Sequence, residues 1–179
     1  MTYSLVRGLP LPLLVLLSLA LTGDASAQSP ASAPAPCAGA AHREFDFWLG
    51  EWKVLNPKAQ PAGSSKVTSI LGGCVILEEW TGAQGPSVGK SFNIYDAATK
   101  RWHQSWVDNG GQLALFDGGL VDGRMVLEGP AIAPDGRPLR TRMTFTPLPD
   151  GRVRQLWENS ADGGTTSKTA FDGYYSRVK

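Results

Sequence analysis

The chain has 179 residues, with 17 Lys and Arg against 16 Asp and Glu and a formal net charge of +1 at pH 7. So even a balance, with no basic run, excludes the electrostatic footprint of a nucleic-acid binder or of a protein held on an anionic membrane surface. A small molecule of little charge is the expected partner, and 21 Gly with 13 Pro in a chain of one-domain length point to short strands joined by many turns.

Residues 1–27 read as a cleavable secretory signal. Arg7 supplies the positive n-region, Leu9 to Leu21 form an apolar stretch too short and Pro-broken to span a membrane, and Ala25-Ser26-Ala27 is the small-x-small pattern that a signal peptidase accepts. No Leu-x-x-Cys arrangement leads into Cys37, which argues against a lipid anchor there. Export to the periplasm or the medium is expected, with no stable membrane insertion after cleavage. Residues 28–41 follow as a flexible Pro- and Ala-rich leader, and residues 42–179 as a single domain. Cys37 and Cys74 then fall in a compartment that permits disulfides and are expected to pair, closing a loop worth about 3 to 4 kcal/mol in the chain-entropy model. Two free buried thiols are the alternative. No metal site is expected, because His42 and His103 lack ligand spacing to either Cys.

In AHREFDFWLG, Phe45, Trp48 and Leu49 recur at i, i+3, i+4, which predicts one helical turn with an apolar face, stopped by Gly50 and acting as a plug. Beyond it, nine turn signals such as Asn56-Pro57, Asp122-Gly123 and Pro149-Asp150-Gly151 separate ten strand-like runs. Successive Asp-Gly turns imply an up-and-down antiparallel meander, and a meander of that length closes to remove its exposed edges. An all-β barrel of about ten strands is therefore expected, with an open two-sheet sandwich as the alternative. In RWHQSWVD, Trp102, Gln104, Trp106 and Asp108 share one face, and in RVRQLWENS, Val153, Gln155, Trp157 and Asn159 do. Aromatics mixed with amides suit the wall of a ligand cavity better than a solid core.

Gly50-Glu51-Trp52 on the first strand, with Arg177 on the last, resembles the signature of calycins, the lipocalins and fatty-acid-binding barrels. The resemblance implies structural roles for Trp52 and Arg177, the guanidinium lying over the indole at one barrel end. Longer segments, EFDFWLGEWKV, ILGGCVILEEWTG, GKSFNIYDAATKRWHQSWVD, TFTPLPDGRVRQLWENSADGG and FDGYYSR, are similar to a bacterial family of exported calycin-like domains of unknown function. That similarity implies a lipocalin-like barrel and is consistent with the Cys37–Cys74 bridge, but it brings no substrate. Nitrobindin-like haem barrels share the Phe-Leu-x-Gly-x-Trp opening and hold iron with a His near the chain end; the last strand here has no His, and no cofactor is expected.

Glu78 and Glu79 are adjacent, so only one faces inward, and alternation alone does not say which. An inward carboxylate needs donors or a cation, for which Arg142 and Arg154 are candidates. No nucleophile elbow, catalytic triad or phosphate loop is present in the sequence. The leading expectation is an exported barrel binding a small, largely apolar ligand in a cavity lined by Trp80, Phe92, Trp102, Gln104, Trp106, Gln155, Trp157 and Tyr174. Two others stand beside it. One is a cofactor-independent isomerase, cyclase or hydratase using Glu78; the other is an envelope interaction module with an exposed apolar patch.

Overall fold

The computed structural model describes residues 36–178; the expected signal peptide and most of the leader lie outside the described residues. Ten strands run in chain order: β1 (Gly50–Leu55), β2 (Pro61–Ile70), β3 (Val75–Gly82), β4 (Val88–Asp96), β5 (Arg101–Asp108), β6 (Leu113–Val121), β7 (Arg124–Ile132), β8 (Pro138–Pro147), β9 (Val153–Ser160) and β10 (Lys168–Arg177). Each is antiparallel to its neighbours in sequence, and β10 pairs with β1, so the meander closes into a lipocalin-like barrel rather than a sandwich. Closure gives every strand two hydrogen-bonded neighbours, although the β6–β7 ladder runs only from Asp117–Glu128 to Val121–Arg124.

The turn signals set the strand limits closely. β2 starts earlier than its composition suggests, because Pro61, Ala62, Gly63 and Ser64 are poor strand formers; pairing with both β1 and β3 overrides propensity there. Gly63 also lies flat beneath a large ring, since a Cβ on it would stand 2.5 Å from the Trp80 indole.

Two short 3-10 turns, Ala40–Arg43 and Asp46–Trp48, precede β1 and plug one end of the barrel. Phe45 and Trp48 are wholly buried and stack at 5.0 Å, and Phe145 sits 4.9 Å and 4.6 Å from them. Burying each such ring contributes about 1.5 to 3 kcal/mol, which makes this plug a principal part of the core. Trp52 donates its indole hydrogen to the Trp48 carbonyl at 2.9 Å, tying the plug to β1. Arg177 lies over the Trp52 ring and donates to the Leu49 carbonyl at 2.8 Å. Gly50 has φ 143°, and a Cβ there would run into the Arg177 guanidinium. The Cys37–Cys74 disulfide is formed, and it pins the segment before the plug to the β2–β3 turn. Among the described residues, no helix is long and apolar enough to cross a membrane.

Candidate functional site

Because the plug closes one end, the other end is open. The β1–β2, β3–β4, β5–β6 and β9–β10 turns ring it, and a cavity of about 610 Å³ runs down from them. Trp80 (β3), Trp106 (β5), Trp157 (β9) and Phe171 (β10) form its walls, and Asn56, Gln84, Gln112 and Asn159 give it a polar rim. The walls are held from behind: a Cβ on Gly63 would strike Trp80, one on Gly89 would strike Trp106, and one on Gly173 would strike Phe171. Trp80, Trp106 and Phe171 therefore each lie against a glycine, while Trp157 is held by its bond to Thr141. Trp80 and Phe171 also meet edge to face at 5.6 Å.

Glu78 reaches the floor of this cavity and is 3 % exposed. Register decides its side. Glu79 pairs with Lys66 of β2 and Lys90 of β4, and on the outer face it accepts from the Lys90 ammonium at 2.7 Å; Glu78 stands opposite Val67 and Ser91 and points in. Ser65 donates to Glu78 Oε1 at 2.9 Å, and Ser91 to Oε2 at 3.1 Å. Burial is the dominant influence and pushes the carboxyl up to about 7, against the opposing pull of the two serine hydroxyls. Both expected cationic partners are elsewhere, which corrects that expectation: Arg142 pairs with Glu128, and Arg154 with Asp172 at 2.8 Å, all on the outer face. Outward charges pair across strands in water, where they cost little, so neither arginine turns in.

Other inward polar groups continue the floor. Asn93 donates to the Ile76 carbonyl at 3.0 Å and to Ser91 at 3.1 Å, and Gln104 donates to Asn93 at 2.7 Å. Gln104 Oε1 is buried without a partner among the described residues. Tyr175 donates to Gln155, Trp157 donates to Thr141, and Gln155 contacts Met143 at 3.0 Å. Burial, with the nearby Glu78 charge second, raises the Tyr175 hydroxyl well above its ordinary value and keeps it protonated.

Of the eight expected lining residues, Trp80, Trp106, Gln155 and Trp157 line the cavity. Trp102 and Gln104 face inward but lie deeper, each 2 % exposed; Trp102 packs 5.7 Å from Phe45 of the plug and donates to Glu44 at 3.1 Å. Phe92 and Tyr174 are corrections, since both lie on the outer face. Phe92 is 48 % exposed because β4 turns Ser91 and Asn93 inward toward Glu78 and Gln104. Tyr174 lies beside the Arg152 and Arg154 guanidinium groups, each 5.5 Å from its ring centre, while its neighbour Tyr175 takes the inward position. His103 is also outward, bonded to Asp117, and His42 lies 5.0 Å from the Tyr95 ring beside the plug.

Sequence reasoning missed Phe171, Tyr175, Ser65, Ser91 and Asn93. A β3–β4 hairpin register that sets Glu79 opposite Lys90 is the signal that finds Ser91, because it leaves Glu78 facing a serine. No protein-family model matches the chain, and no curated protein matches it.

Proposed function

We propose that the protein is an exported, lipocalin-like member of the calycin-like family it resembles, and that it binds a small, largely apolar molecule in its barrel. The observation that carries this reading is the cavity of about 610 Å³ walled by Trp80, Trp106, Trp157 and Phe171. Its volume and its mixture of aromatic wall and few polar groups are those of small-molecule sites. The disulfide suits an oxidising compartment, in keeping with the signal-like residues 1–27. The test is titration of the purified protein with fatty acids, aromatic metabolites and porphyrins while tryptophan fluorescence is followed. A saturable response to one class is expected; none with any class overturns the reading.

A second reading is favoured by Glu78 alone: a buried carboxyl poised near neutrality beside an open cavity is suited to general acid–base work, with Gln155 and Tyr175 to orient a substrate. It requires an isomerase, cyclase or hydratase turnover that is lost in Glu78→Gln and follows a single ionisation near pH 7. Turnover that survives this change removes Glu78 from the chemistry.

A further inference from the structure

Resting on the ligand-binding reading, we propose that the ligand is a lipophilic amine, with one ammonium group set against Glu78 and an apolar body held between the tryptophans. The first support is an imbalance of charge. Among the described residues, no Lys, Arg, His or Asp lines the cavity; Glu78 and Tyr175 are the titratable groups there, and Tyr175 stays neutral. An inward carboxyl with no cation is costly once ionised, so it must hold a proton or take a cation, and both arginines able to supply one by sequence are committed outside.

The second support is unused bonding capacity. A carboxylate offers about four acceptor sites. Ser65 and Ser91 occupy one on each oxygen, and both point hydrogens at it, an arrangement that favours the ionised form. The remaining sites accept donors, and an ammonium brings three. A ligand carboxylate is repelled by the ionised Glu78, and an alcohol brings a single donor without charge.

The third support is the wall. Trp80 stands two residues from Glu78 on the same face, and Trp106, Trp157, Phe171 and Tyr175 complete an aromatic enclosure above the carboxylate. Aromatic faces attract a cation, most strongly where water is excluded. Aromatic rings around one acid therefore select for a positive head and still accept an apolar body.

The experiment is calorimetric titration of the purified, disulfide-bonded protein at about pH 8 with matched amine, alcohol and carboxylate forms of three apolar bodies: phenethyl, indolylethyl and adamantylmethyl. In at least one set the amine is expected to bind about tenfold or more tighter than its alcohol, and the preference to vanish in Glu78→Gln while the alcohol's affinity persists. Alcohols matching amines in every set, or a preference that survives Glu78→Gln, overturn the proposal and leave the ligand-binding reading standing. No binding in any set, with fatty acids and porphyrins silent as well, overturns both. Should the variant fail to fold, the wild-type protein decides. Near pH 6, amine binding must release a proton as Glu78 ionises, read as a dependence of heat on buffer ionisation enthalpy; no release overturns the proposal.

Discussion

Arg177 and Trp52 stand opposite each other across the β1–β10 seam, and the guanidinium carbon lies 4.4 Å above the indole centre. The first and last strands of the barrel are thus joined by a side-chain contact as well as by their ladder. Arg177 also bonds the Leu49 carbonyl just after the plug, so one side chain holds seam and plug together.

Removing that contact tests the seam. Arg177→Ala is expected to lower stability by about 1 to 2 kcal/mol, through the lost cation–π contact and the lost bond to Leu49. Arg177→Lys recovers only part of it, because an ammonium lacks the planar stacking surface. Urea denaturation followed by far-UV circular dichroism measures both.

Glu78 gives a pH dependence with a definite sign. Its folded-state value of about 7 lies above the ordinary 4.5, so the folded protein prefers the protonated acid. The corresponding stability is present below about pH 4.5 and is lost as pH rises toward 7, a total on the order of 3 kcal/mol. Glu78→Gln, neutral throughout, is therefore expected to be more stable than wild type at pH 8, with the difference shrinking at acid pH. Denaturation of both proteins at a series of pH values checks it; a gap that stays constant with pH disproves it.

The two faces of the wall differ in their effect on ligand. Trp106→Ala and Trp157→Ala remove cavity walls and are expected to weaken any apolar probe about tenfold or more. Phe92→Ala and Tyr174→Ala alter only the outer surface and leave affinity unchanged. Trp102→Phe is a third case: it loses the bond to Glu44 and plug packing, so stability falls while affinity holds. Fluorescence titration paired with thermal melts separates the three.

Gly89→Ala tests the glycine backing of the wall. The added Cβ would overlap the Trp106 indole and stand 2.9 Å from the Val107 carbonyl oxygen, which does not yield. A loss of about 1 to 3 kcal/mol is expected, with Trp106 pushed into the cavity and probe affinity reduced. Alanine at Gly119, where nothing lies within 4 Å, is the control.

Breaking the bridge tests the plug. Cys37→Ser with Cys74→Ser is expected to cost about 3 kcal/mol, since the cross-link spans a sequence separation of 37 residues. Thermal melting with and without reductant gives the value independently. The aromatic packing of Phe45 and Trp48 remains, so the barrel should still close.

Much of the barrel was legible because turn chemistry is local. Asp122-Gly123, Pro134-Asp135-Gly136 and Pro149-Asp150-Gly151 each put a positive-φ glycine at a hairpin, so β7 and β8 could be bounded from sequence. The cavity was half legible. Trp106 and Trp157 alternate with amides that share their face, and the pattern reads correctly. Phe92 and Tyr174 mislead because both faces of their strands offer plausible inward residues. The rule that apolar side chains go inside fails on β4, where Ser91 and Asn93 are drawn in by Glu78 and Gln104, themselves fixed by strands far away in sequence. Tyr174 and Tyr175 differ by one step of pleat, and the partner that selects Tyr175, Gln155, lies 20 residues away. Register across strands, rather than composition along one, settles such cases.

Ten is an even number, so the meander returns to its starting end. The disulfide, the plug and the Trp52–Arg177 seam all gather there, while the cavity opens at the opposite end. The contacts that close the barrel and the mouth of its cavity thus occupy separate ends of it. For an experimenter, the same division makes the Gln84 and Gln112 loops the natural places to randomise when retargeting the barrel.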